Sequence, residues 1–155
     1  MPKSIPSSAK VVVIGGGVAG CSVAYHLAKF GWSDVVLLER DQLTSGTTWH
    51  AAGLVGQLGA SATITMLRNY SLNLYKQLEA ETELSTGLKQ NGSLTVATTE
   101  SRFEELKRQA TTARLFDVEV QSVSKEQITD LYPLINTNDI IGGVYIPKDG
   151  QADPV

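Results

Sequence analysis

The chain has a single cysteine, Cys21, so no internal disulfide can form, and such cysteine usage suits a reducing compartment. It has no excess of positive charge: 13 Lys and Arg stand against 16 Asp and Glu, for a formal net charge of −3. Without a long basic run, nucleic acid and anionic membrane surfaces are disfavoured as the main partners. No apolar run approaches the roughly 20 residues that cross a bilayer, so no membrane insertion is expected. With two histidines and one cysteine there is no metal-ligand cluster. Repeats and low-complexity segments are also lacking. The leader MPKSIPSSAK has no apolar stretch and is too short for a transit peptide. Residues 1–9 therefore read as a flexible tail on a cytoplasmic protein, with the mitochondrial matrix as the eukaryotic counterpart.

What is present is an ordinary globular composition, 42% hydrophobic over 155 residues, enough for one domain. Its most informative stretch is residues 11–20, VVVIGGGVAG. A β-branched run enters Gly15-x-Gly17-x-x-Gly20, and an amphipathic run follows. This is the strand–turn–helix start of a dinucleotide-binding fold. Gly15 permits the tight turn, Gly17 lets a pyrophosphate approach the backbone, and Gly20 lets helix and strand pack closely. Val18 and Ala19 open the helix, whose free N–H groups and dipole attract phosphates.

The helix is expected to run to about Phe30 and stop at Gly31, with Ser22 or Val23, Ala24, Leu27 and Ala28 facing the sheet. Residues 34–39, DVVLLE, read as a second parallel strand buried on both faces. Residues 10–39 thus make one βαβ unit. Glu39, at the end of that strand, would accept hydrogen bonds from the adenosine ribose and repel a 2′-phosphate, which disfavours NADP; the alternative is a solvated acid. Arg40 either flanks the adenine or is a surface charge.

Residues 40–57 are rich in Ser, Thr, Gly and Ala and lie after the strand, where open α/β sheets bind ligands. Ser45, Gly46, Thr47 and Thr48 offer hydroxyls and N–H groups for a second set of pyrophosphate contacts. Ala51, Ala52 and Gly53 are small enough for a flat ring to lie against the backbone. His50 lies between them. It is either a packed or capping residue, or an imidazole placed to bond covalently to a flavin methyl carbon. Trp49 shows no partner pattern. Cys21 reads as a small packing residue or a thiol activated by the helix dipole.

Further on, a helix is expected over residues 63–82, with Leu67, Tyr70, Leu74 and Leu78 on one face. Asn91-Gly92 suggests a hairpin turn or a single strand bulged at glycine. A capping box of Ser101 with Glu104 should open a helix striped by Phe103, Leu106, Ala110 and Ala113. Residues 118–123 read as a strand, Ser124 with Gln127 as a second capping box, and residues 140–146 as a strand broken at Gly142-Gly143. Asp153-Pro154 announces a helix. Two parallel strands and an unfinished helix suggest the N-terminal piece of a larger protein, poorly folded alone. The expected organisation is an FAD-binding part over residues 10–85, the start of a substrate domain over 86–150, and a return helix over 151–155.

GGGVAG followed by LTSGTTWHAAGL resembles the N-terminus of the sarcosine dehydrogenase and dimethylglycine dehydrogenase family, within the D-amino-acid-oxidase-like FAD amine oxidoreductases. The resemblance continues through KQNGSLTVAT, LYPLIN and GGVYIPKDG, nearly the whole chain. It implies an α/β Rossmann-like FAD-binding fold followed by a mixed α+β substrate domain. It implies that His50 carries FAD covalently. It also implies oxidation of the N-methyl group of a glycine-derived amine, by hydride transfer to the flavin. The resulting carbon goes to formaldehyde or to tetrahydrofolate, on a folate-binding domain that many members carry. The electron acceptor is left open among oxygen, an electron-transfer flavoprotein and a quinone. A non-catalytic regulatory relative is the alternative, and an NAD-linked dehydrogenase a more distant one. The catalytic residues are not identified in this chain: Arg68 and Arg102 read as solvated helix charges rather than substrate anchors.

Overall fold

A computed structural model of the protein describes residues 6–154. They divide into two compact units, one running to Ala52 and the other Gly53–Asp153. The boundary expected after residue 85 falls inside the second unit.

In the first unit β1 (Val11–Ile14) pairs in parallel with β2 (Val35–Leu38), Val11 opposite Val35 and Ile14 opposite Leu38. The connection is α1 (Val18–Lys29). Gly31, at φ +84°, ends it: its N–H and that of Trp32 donate to the carbonyls of Ala28 and Leu27, closing the last turn as the sequence predicts. The inner face of α1 is set by Gly20, which lies against the Gly15 carbonyl. Ala24 and Leu27 follow at i+4 and i+7 on that face and are half-buried. Ser22, Val23 and Ala28, also expected inside, are exposed.

Burial of β2 on both faces is not met. Val35, Val36 and Leu37 are half-buried and Leu38 is 37% exposed, while Ile14 of β1 is 86% exposed. One helix covers one face of a two-stranded sheet, and the first unit has no second layer for the other.

The second unit begins with β3 (Leu54–Val55) and α2 (Ala62–Thr82). It continues with β4 (Ser93–Ala97), α3 (Glu100–Ala113), β5 (Gln121–Val123), α4 (Lys125–Leu131), β6 (Gly142–Ile146) and β7 (Gly150–Gln151). Strands β4, β6 and β5 form an antiparallel sheet in that order, and β3 pairs with β7. The core lies between this sheet and α3 and α4. Leu106 and Ala113 of α3 and Ile128 of α4 are almost fully enclosed, packed with Ala97, Val144, Ile146 and Val123. Burying a leucine or isoleucine side chain contributes about 1.5–3 kcal/mol each.

Several local expectations change here. β4 pairs with β6 and not with residues 88–90, so there is no hairpin at Asn91-Gly92. Lys89 bridges Gln151 instead, and Gly92, at φ +80°, turns the chain between the two pairings. Gly142-Gly143 lies within β6 and does not break it. A Cβ on Gly142 would press on the Phe103 ring, so these glycines let α3 approach the central strand. The cap of α3 is Thr99, whose hydroxyl accepts the Arg102 N–H at 3.3 Å, while Glu104 pairs with Lys107 at 2.8 Å. The Phe103–Leu106–Ala110–Ala113 stripe packs inward as expected. The box of Ser124 with Gln127 forms in both directions and is worth about 1 kcal/mol.

α2 is rotated from its expected face. Its first turn is anchored by the Thr65 hydroxyl, which donates to the Ser61 carbonyl and accepts the Gly59 N–H at 3.1 Å. That phase buries Thr65 and Leu72 and leaves Leu67 and Tyr70 exposed. Asp149, 5% exposed, joins three segments: one oxygen accepts the Gln57 N–H at 2.8 Å and the other the Ser93 hydroxyl at 2.7 Å. Residues 152–154 carry no helix, and Val155 lies outside the described residues.

Candidate dinucleotide site

The site is built on the turn between β1 and α1. Gly15 takes φ +104°, and its N–H donates to the Leu38 carbonyl at 2.8 Å. The two strand ends are thereby tied together at their carboxyl edge, where this architecture binds ligands. Gly17 caps α1 without a side chain, and the first helical turn holds no acid. The helix N-terminus therefore keeps its positive character toward an anion.

Gly16, outside the glycine motif proper, is the hub of this turn. Its N–H donates to Glu39 Oε2 at 2.6 Å, and its carbonyl accepts the Thr44 N–H at 2.9 Å and the Cys21 thiol at 3.4 Å. Glu39 Oε1 accepts the N–H groups of Arg40 at 2.7 Å and Asp41 at 3.2 Å. Three backbone donors thus occupy a carboxylate that has about four acceptor positions. One position is left for a ribose hydroxyl. The Gly16 bond above all, then those of Asp41 and Arg40, with the Arg40 charge adding, holds the Glu39 carboxyl below the ordinary glutamate range.

A depressed pKa means that these bonds stabilise the fold above the unfolded-state pKa and weaken as pH falls through the folded one. The expected result is a carbon-13 titration midpoint for the Glu39 carboxyl below the ordinary value of about 4.3. A midpoint at or above that value would refute the bonded arrangement.

Residues 44–50 fold back over the turn. Thr44 takes φ +68°. Thr48 Oγ1 accepts the Val18 N–H at 3.0 Å, so of the four pyrophosphate candidates in this loop Thr48 is brought to the helix N-terminus. The Ser45 hydroxyl is turned instead to the Gln42 carbonyl at 2.7 Å. Thr47 and Gly46 act through their carbonyls, which accept the His50 N–H and the His50 imidazole, both at 3.2 Å. A carbonyl only accepts, so Nδ1 carries the proton and Nε2 keeps its lone pair.

Trp49, which showed no pattern in sequence, stacks on His50 with ring centroids 4.0 Å apart and planes tilted by 34°. Ala51 and Ala52 follow, both exposed; Gly53, at φ +71°, opens the second unit. Cys21 is a half-buried packing residue of the turn. Arg40 is exposed beside Glu39. Among the described residues there is no group of side chains that could hold a metal ion. No helix in them is long and apolar enough to cross a membrane.

The sequence pattern of the FAD dependent oxidoreductase family matches residues 10–155. The chain belongs to that family. Its fold is therefore the expected α/β FAD-binding one. Human mitochondrial sarcosine dehydrogenase is 46% identical over 153 residues, 98% of this chain and 17% of the relative. Mouse mitochondrial dimethylglycine dehydrogenase is 43% identical over 153 residues, 99% of this chain and 18% of the relative. The mouse mitochondrial pyruvate dehydrogenase phosphatase regulatory subunit is 40% identical over 146 residues, 94% of this chain and 17% of the relative. Among solved structures, L-proline dehydrogenase from P. horikoshii superposes with a TM-score of 0.89 at 28% identity, covering 97% of this chain and 39% of that one. The chain thus spans less than a fifth of the curated relatives it matches.

The residues fit the cofactor this family membership implies. The turn is glycine-lined where a Cβ on Gly17 would press on Thr48 Oγ1, at 3.0 Å, and the helix N-terminus and the Glu39 carboxylate suit a diphosphate and a ribose.

Proposed function

We propose that this chain begins an FAD-dependent amine oxidoreductase that oxidises the N-methyl group of a glycine-derived amine, of the sarcosine or dimethylglycine type. The observation that carries this reading is the glycine turn held by Glu39 and covered by residues 44–50, in a sequence 43–46% identical to two dehydrogenases of such amines. Bound FAD supplies a two-electron acceptor for the amine's C–H bond. The protein's part is to bind and orient it. Gly15, Gly17, Val18, Ala19 and Gly20 receive the diphosphate at the α1 N-terminus, with Ser45, Gly46, Thr47 and Thr48 forming the loop over it. Glu39 and Arg40 hold the adenosine end. Ala51, Ala52 and Gly53 offer small surfaces to the flat ring, and His50 tethers it through Nε2.

Transfer of the released carbon to tetrahydrofolate, in a further domain, belongs to the same reading. The single cysteine fits a reducing location, cytoplasmic or in the mitochondrial matrix.

The regulatory reading is favoured by one observation, the 40% identity to a phosphatase regulatory subunit. One experiment separates the two. Sarcosine and dimethylglycine are added in turn to the full-length protein under nitrogen, and its visible flavin absorbance is followed. Bleaching by either amine supports the dehydrogenase. Flavin that neither amine bleaches supports the regulatory relative, and purified protein without flavin defeats both.

A further inference from the structure

Trp49 and His50 are neighbours in a short 3₁₀ turn, Thr48–His50, and both rings reach backward in the same way. The indole Nε1–H donates to the Ser45 carbonyl at 3.1 Å, and the imidazole Nδ1–H to the Gly46 carbonyl at 3.2 Å. Each ring is bonded four residues back, to consecutive peptide units. The stack between them, at 4.0 Å, couples the two. An exposed histidine on a polar loop ordinarily samples several rotamers and both tautomers. Here one face of the imidazole is covered by the indole, one nitrogen is bonded, and the remaining edge carries Nε2. The backbone beneath is held as well, since the Trp49 N–H donates to the Thr44 carbonyl at 3.3 Å.

From this arrangement we infer that Trp49 is a positioning residue for flavin attachment: its indole, stacked on His50 and bonded to Ser45, holds the imidazole with Nε2 outward. This rests on the reading of His50 as the tether. In the attachment step Nε2 forms the bond to the flavin's 8-methyl carbon. One methyl hydrogen and the Nδ1 proton are lost. The two electrons pass through the flavin to dioxygen, giving hydrogen peroxide. Trp49 touches none of the reacting atoms. It acts on how often the lone pair stands where the carbon is, and a misplacement of about 1 Å in such a step costs up to a hundredfold in rate.

The test uses the full-length protein, prepared without flavin and mixed with FAD in air. Two quantities are read over time: total bound flavin, and flavin retained by the acid-precipitated protein. Trp49→Ala is expected to bind FAD to the same extent but to fix it at least about tenfold more slowly. Trp49→Phe keeps an aromatic face and loses the indole N–H, and should recover most of the rate. His50→Ala serves as the reference. If it still fixes flavin, the tether reading itself fails. If it does not, but Trp49→Ala fixes flavin at the unsubstituted rate, the positioning role alone fails. Equal slowing in Trp49→Ala and Trp49→Phe would also overturn the stacking role. So would equal losses of bound and fixed flavin in Trp49→Ala, since a merely structural residue gives that pattern.

Discussion

In the full-length protein, His50→Ala is expected to release all of its flavin on acid precipitation, where the unsubstituted protein retains it. The effect is close to all-or-none because it concerns a covalent bond and not an affinity. Its basis is the protonation pattern of one ring. The Gly46 carbonyl accepts from Nδ1, so the proton of the neutral imidazole sits there and the nucleophilic pair sits on Nε2. The side chain is exposed, so its loss removes no core contact and the variant should fold. Native flavin content can fall as well, because a tether prevents dissociation. Flavin that remains with denatured His50→Ala protein would show that another residue carries it.

Gly20→Val is expected to abolish flavin binding and to lower the melting temperature of the full-length protein. A Cβ at position 20 would overlap the Gly15 carbonyl oxygen, with the Gly15 carbonyl carbon 3.1 Å away. These are backbone atoms of the turn itself, whose N–H bond to Leu38 ties β1 to β2. The clash cannot be relieved by turning a side chain. Either α1 moves off the strand or the turn opens, and each separates the helix N-terminus from the Glu39 carboxylate. Overpacking of this kind costs about 1–3 kcal/mol or more. Gly20→Ala places the same Cβ and should lose most of the flavin too. Stoichiometric flavin and an unchanged melting temperature in Gly20→Ala would overturn the close-approach argument.

The two variants test different levels of the same site. Gly20 concerns whether the cradle exists, and His50 what the cradle holds on to. The Glu39 titration lies between them, because its three backbone bonds depend on the turn, the strand end and the chain after it all being in place.

Much of the first unit was legible because its signals are local. Gly15, Gly20 and Gly31 are demanded by backbone geometry within a few residues, and the spacing from strand to helix to strand is set by the chain itself. The phase of α1 was less legible. Counting apolar residues favoured Val23 and Ala28, whereas the contact of Gly20 with Gly15 sets the face. Gly16 was overlooked because a motif names the positions a ligand approaches, and its own bonds run to Glu39 and Thr44, 23 and 28 residues away. Trp49 was unreadable for a related reason: its partners are carbonyls and a neighbouring ring, which leave no spacing in the sequence.

The second unit divides along the same line. The stripe of α3 and the capping box of α4 follow from residues within one or two turns, and both formed as read. Asn91-Gly92 has the composition of a hairpin turn, but β6 offers β4 a longer partner than residues 88–90 do. Gly142-Gly143 has the composition of a break, yet in a central strand it makes room for the Phe103 ring.

The amino-acid sequence by itself therefore determined the βαβ start, the glycine turn and the acid at the end of the second strand, since each depends on short-range sterics and hydrogen bonding. The tertiary structure decided what those residues do to one another. It brought Thr48 to the helix N-terminus, filled three acceptor positions of Glu39 with backbone N–H groups, and stacked Trp49 on His50. The reason is that the loop after β2 has no periodicity of its own. Its conformation is set by the carbonyls and N–H groups of the glycine turn on which it closes.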